Sequence, residues 1–157
     1  MTYNAAAREQ LVQLLSGRNA HMTFVDAVDN FPLNLINTKP PNVPYTPWHL
    51  VEHLRIAQWD ILEFVRDPDH ISPPWPEGYW PSQDALATEE QWKESIELFT
   101  ADLASVAAIA RDHNLELEAE IPHAPGYTYL REILLVADHN AYHVGELAIL
   151  RQIMGAW

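Results

Sequence analysis

The sequence predicts an all-α fold, a four-helix bundle forming a single domain over residues 1–157. Three observations lead there. Apolar residues recur at steps of three and four over several long stretches, proline and glycine punctuate the chain at a few points, and no segment reads convincingly as sheet. A length of 157 residues with 48% hydrophobic content suits one domain with a real core.

The first helix is expected from about Asn4 to Leu15, marked by Leu11, Leu14 and Leu15 and broken by Ser16-Gly17. One extra N-terminal helical segment is expected beyond the four bundle helices. A second helical piece is expected from Thr23 to Asn30, with Phe24, Val25 and Val28 as apolar marks and Pro32 as its limit. Thr38 to Tyr45 holds too much proline for helix or central strand. Thr46 is then a good N-cap, and Pro47 suits the first helical position, where no amide hydrogen is missed. That helix runs to about Arg66 with Leu50, Leu54, Ala57, Ile61 and Phe64 on one stripe, and Asp67-Pro68 ends it.

Asp67 to Ala87 is dense in proline and aromatics and has no periodicity, a kind of connection that is often functional. Trp75, Tyr79 and Trp80 are its candidates for a lid or pocket wall. Thr88-Glu-Glu-Gln91 is a capping box, and the helix it opens runs to about His113 through Trp92, Ile96, Phe99, Leu103, Val106 and Ala110. A connection with Pro122 and Pro125-Gly126 follows. The last helix spans about Thr128 to Met154, with Leu130, Leu134, Val136, Ala141, Val144, Leu147 and Leu150 expected inward. The Pro/Trp connection provides one crossover in a near-antiparallel bundle.

The formal net charge of −13 repels phosphate backbones and anionic membranes, which argues against nucleic acid and membrane partners. No run approaches the ~20 apolar residues of a membrane span. The start, Met1 to Arg8, lacks a basic stretch followed by an apolar one, so no signal peptide is expected and the cytoplasm is the expected compartment. With no cysteine, disulfides, cysteine nucleophiles and thiolate zinc sites are excluded.

Eight histidines remain as candidates for metal or proton chemistry. His139 and His143 are four apart, so on a helix they share a face and can converge on one ion. They interrupt a stripe that continues through Val136, Leu147, Leu150 and Met154, so they point inward. His53 lies among Leu50, Leu54 and Ala57 and points inward by the same reasoning. Three histidines from two helices match the way bundles build metal sites, and three protein ligands leave an open coordination position. Zinc, nickel, iron and manganese are all compatible with such a donor set. His49 competes with His53 as third ligand, or serves in the pocket near the bundle mouth; His53 is preferred because it sits deeper in the stripe. Glu146 is a candidate fourth ligand, acceptor for an imidazole N–H, or general base. Glu52 and Asp138 are expected to be solvated. Gly145 costs about 1 kcal/mol within a helix and is a candidate for close helix approach beside the metal. Tyr45 and Tyr142 are candidate pocket donors.

Two segments carry a family resemblance. Pro47-Trp48-His49-Leu50-Val51-Glu52-His53-Leu54 is similar to the second-helix motif of the DinB/YfiT-like superfamily. Asp138-His139-Asn140-Ala141-Tyr142-His143-Val144-Gly145-Glu146-Leu147 resembles its last-helix motif, and Leu150-Arg151 through Gly155 fits its close. The resemblance covers nearly the whole chain. It implies a bundle of up-down-down-up order, often a homodimer, with His53, His139 and His143 on nickel or zinc. It further implies metal-dependent transferase or isomerase chemistry using a low-molecular-weight thiol, with a small-molecule substrate. The length of the Pro/Trp connection and glutamate at 146, where the family often has glutamine, are departures. A non-catalytic bundle that binds a metal or small ligand is the alternative.

Overall fold

The computed structural model describes residues 5–17 and 19–157. The expected helix start at Asn4 lies outside them. Among the described residues there are five α-helices: α1 (Ala5–Ser16), α2 (Phe24–Val28), α3 (Pro47–Arg66), α4 (Glu89–Arg111) and α5 (Tyr129–Ile153). Capping sets their starts. The Thr46 hydroxyl accepts the His49 amide, and Pro47 occupies the first turn. Thr88 and Gln91 close a reciprocal capping box at α4, and Thr128 caps α5.

Side-chain pairings give the helix directions. Along α3, Glu52 meets Ser95 and Gln58 meets the Phe99 carbonyl, so α3 and α4 run parallel. His53 meets His143 and Gln58 meets Asn140, so α5 runs against α3. Arg8 donates to the carbonyls of Ala110 and Leu115, near the end of α4, while Leu14 and Leu15 share a cleft with Phe99 and Leu103. So α1 opposes α4, and the order is up-down-down-up. The N-terminal helix α1 is thus the fourth wall of the bundle, and the short α2 is the extra N-terminal helical segment.

The crossover follows from this order. Because α3 and α4 are parallel, residues 67–87 must return along the bundle before α4 can begin. They do so beside α3, with only a single 3-10 turn at Glu77–Tyr79 as regular structure.

A two-stranded antiparallel ribbon, β1 (Glu120–Ile121) and β2 (Ala124–Thr128), precedes α5 where no strand was expected. It is too short to show a period in sequence. Burial explains it: Ile121 and Ala124 pack with Val65 under the end of α3.

The apolar core has two main clusters. One gathers Phe24, Trp48, Leu50, Leu54, Phe99, Val144 and Leu147, and the other Leu11, Leu62, Val106, Leu117, Ile133 and Val136. Between them, at residues 53–58 of α3 and 139–143 of α5, lies a layer of buried polar side chains. Three apolar positions expected to pack face out: Leu14 and Leu134 are each 42% exposed and Val25 56%. On α5 the inward face instead takes Ile133, Ala137 and Asn140. Among the described residues no helix is long and apolar enough to cross a membrane.

Candidate metal centre

The polar layer is built around three imidazoles. His53 from α3 places Nε2 3.1 Å from Nε2 of His143 and 3.2 Å from Nε2 of His139, both from α5. The three ligand atoms lie within 4.8 Å of one another. His53 and His143 are buried, and His139 is partly so. A tetrahedral zinc with bonds near 2.0–2.1 Å separates its nitrogens by about 3.3 Å, so the spacing suits an ion.

The outer face of each ring decides what the inner face offers. His53 Nδ1 lies 2.9 Å from the Tyr79 carbonyl, which can only accept, so Nδ1 carries the hydrogen. His143 Nδ1 lies 2.7 Å from Glu146 Oε2 and donates to that carboxylate. With both rings neutral, each Nε2 is a bare lone pair, and the two lone pairs face each other across 3.1 Å. No hydrogen separates them, which is repulsive, and a cation between them removes the repulsion. His139 Nδ1 and Asn140 Oδ1 are buried and neither makes a hydrogen bond, while the neighbouring Asn140 side chain favours the charged form of His139. Asn140 is held in turn by Gln58, and Gln58 by the Phe99 carbonyl, at 2.8 and 2.7 Å. All three rings turn Nε2 inward, and at His53 and His143 the acceptor behind the ring selects the tautomer that ligates. Burial pushes His53 and His139 down to about 4, so protons compete weakly for these nitrogens near neutrality.

His49 has other work. Its Nδ1 accepts the Thr46 amide at 3.1 Å, completing the cap of α3, and its Nε2 lies 3.1 Å from the Ser82 carbonyl. Both nitrogens are committed away from the triad.

Glu146 reaches the triad only through His143. Its carboxylate also faces the Tyr142 and Tyr45 hydroxyls and raises both phenols, burial being the larger cause at Tyr45. Trp80 lies flat on His53, centroids 3.8 Å apart with an interplanar angle of 4°, and Tyr45 stacks on Trp80 at 5.4 Å. Trp75 is 73% exposed and makes no wall. Gly145 faces open space, with nothing within 4 Å of an added Cβ, so no helix approaches there within the chain. Glu52 is not simply solvated: it pairs with Arg55 at 2.6 Å and accepts from Ser95 at 2.6 Å, joining α3 to α4.

Sequence reasoning missed Gln58, Asp60, His70 and Asn140. Gln58, Asp60 and Asn140 are polar residues on a helix, Gln58 being 0% exposed, whereas His70 lies in the connection. A polar residue inside an apolar stripe was the available signal.

A helical bundle that turns three histidines from two facing helices onto one point is of the type that could hold a divalent ion. The chain belongs to the DinB superfamily: the model of that family matches residues 17–147, a span holding all three histidines and Glu146. No curated protein and no solved structure gives a significant match.

Proposed function

We propose that this protein is a divalent-metal enzyme of the cytoplasm, holding zinc or nickel on His53, His139 and His143. Its reaction joins a low-molecular-weight thiol to a small electrophile, or is a related hydrolysis or isomerisation. The observation that carries this reading is the facing pair of Nε2 lone pairs at 3.1 Å, each fixed by a hydrogen-bond acceptor behind its ring. Three nitrogen donors leave a coordination position open, the pattern of catalytic rather than closed structural sites. A bound metal supplies a Lewis acid that lowers the pKa of a coordinated thiol or water.

The chain's own residues supply the rest. Glu146, which takes the His143 hydrogen on one oxygen and also faces the Tyr45 and Tyr142 hydroxyls, is the base we assign to the proton that a thiol or water sheds. We assign the body of the substrate to the cavity of about 690 Å³ beside Trp80, whose walls include Tyr45, Pro44, Pro76 and Pro81 and none of the three histidines.

Elemental analysis of protein purified without a histidine tag, followed by zinc and nickel titration, tests the metal. About one ion per chain is expected, lost in His143→Ala. Glu146→Gln keeps an acceptor for His143, so it should retain the ion while thiol conjugation slows about 100-fold. Equal conjugation rates in wild type and His143→Ala reject the catalytic role. A tag-free protein that declines both ions rejects the site. The alternative, a non-catalytic metal-binding bundle, draws on Trp80 covering His53; chelation that lowers the melting temperature while no thiol or hydrolysis assay responds would select it.

A further inference from the structure

The return of residues 67–87 past α3 brings a second buried polar cluster into being, about two turns beyond His53 along that helix. Asp60, 7% exposed, accepts from the Tyr79 hydroxyl at 2.6 Å and pairs with His70 Nε2 at 2.7 Å. His70 packs edge-on against Trp59. One carboxylate on α3 thus holds two points of the connection, one on each side of its proline run. Tyr79 is the residue whose carbonyl accepts the His53 hydrogen, and the next residue, Trp80, covers the same ring.

We propose that Asp60, acting through Tyr79 and seconded by His70, is the positioning residue of the metal centre. It seats the connection so that the Tyr79 carbonyl stays on His53 Nδ1, and that seating leaves Nε2 bare for the ion. The connection needs such an anchor because it has almost no backbone structure of its own. A loop held only at its ends would let the carbonyl drift, and a hydrogen bond to imidazole weakens steeply with misalignment. Without that acceptor, the His53 hydrogen is free to move to Nε2, the atom the metal needs. Tyr79 itself is buried enough, and close enough to Asp60, that its phenol is pushed up to about 12, so it stays a donor at every working pH. The affinity part of this inference rests on the metal reading above; the tautomer part does not.

Long-range ¹H–¹⁵N NMR of the zinc-free protein reads which nitrogen of His53 carries the hydrogen, and competition with a chelator reads zinc affinity. Wild type should show a single Nδ1–H tautomer at His53. Tyr79→Phe removes one oxygen and little volume; it should mix the tautomers and weaken zinc binding about tenfold. Asp60→Asn should follow in the same direction, which guards against an effect of packing around the ring. The control is Asn37→Ala. Asn37 ties the far end of the same connection through two hydrogen bonds to Ala87, at 2.8 and 2.9 Å, and touches neither His53 nor Tyr79. It should leave the tautomer unchanged and zinc affinity within about twofold, well under the effect expected from removing a partner behind a ligand. An Nε2–H tautomer in wild type overturns the proposal. So does Tyr79→Phe leaving the tautomer and affinity unchanged, or Asn37→Ala matching its loss. If wild type binds no zinc, the metal reading fails while the tautomer comparison still decides the role of Asp60.

Discussion

A neutral imidazole is easy to keep neutral in a core and costly to charge there. Burial holds His53 and His139 at about 4, against an ordinary value of 6.5. Since the folded value lies below the unfolded one, the unfolded chain binds more protons between those limits, and stability falls as pH falls. With metal removed by chelation, the melting temperature should hold between pH 8 and 7. It should then fall as pH passes from 6.5 towards 4, at a cost of roughly 3 kcal/mol from each of the two groups. The carboxylates also titrate near the lower limit, so the comparison is with His139→Leu, whose fall should be shallower; equal slopes would falsify the burial argument. Gly145 gives a prediction of opposite sign. Its Cβ position is open, so Gly145→Ala should raise stability by about 1 kcal/mol in denaturant unfolding. A loss of stability would mean that something outside the chain needs that space. At this scale the histidines were legible, because helical spacing fixes which residues share a face. What stands behind each ring was less so. Glu146 is one turn from His143 and could be named as an acceptor, whereas the Tyr79 carbonyl reaches His53 from 26 residues away by a path no periodicity describes.

Among the elements, α3, α4 and α5 meet in one polar chain: the Phe99 carbonyl accepts from Gln58, and Gln58 accepts from Asn140. Gln58 is 0% exposed, so nothing else can satisfy Asn140 if it is lost. Gln58→Met keeps the volume and removes the hydrogen bonds. It should destabilise the fold by about 1–3 kcal/mol, read by urea unfolding, with zinc affinity falling as His139 loses its support. A neutral outcome would show that Asn140 finds water or another partner. The helices themselves were readable to within a few residues because threonine caps and proline stops are local chemistry. Thr46, Thr88 and Thr128 each sit where their side chains accept the first free amides. The ribbon at 120–128 was not readable, because its reason is the apolar contact of Ile121 and Ala124 with Val65, more than 50 residues earlier in the chain.

For the molecule as a whole, the up-down-down-up order sets what the long connection has to be. His70 meets Asp60, Tyr79 meets Asp60 and His53, and Ser82 meets His49. Partners on the connection advance while those on α3 retreat, so the two segments are held in an antiparallel register like the two edges of a zip. Surface loops ordinarily accept changes of length with little effect. This one has a counted length between His70 and Ser82, and spare chain only beyond it. Two glycines inserted between Ser72 and Pro73 should throw Tyr79 out of step with His53 and weaken zinc binding about tenfold or more. The same insertion between Gln83 and Asp84 should be absorbed. The segment that looks least structured in the sequence is therefore the one whose number of residues is least free to drift.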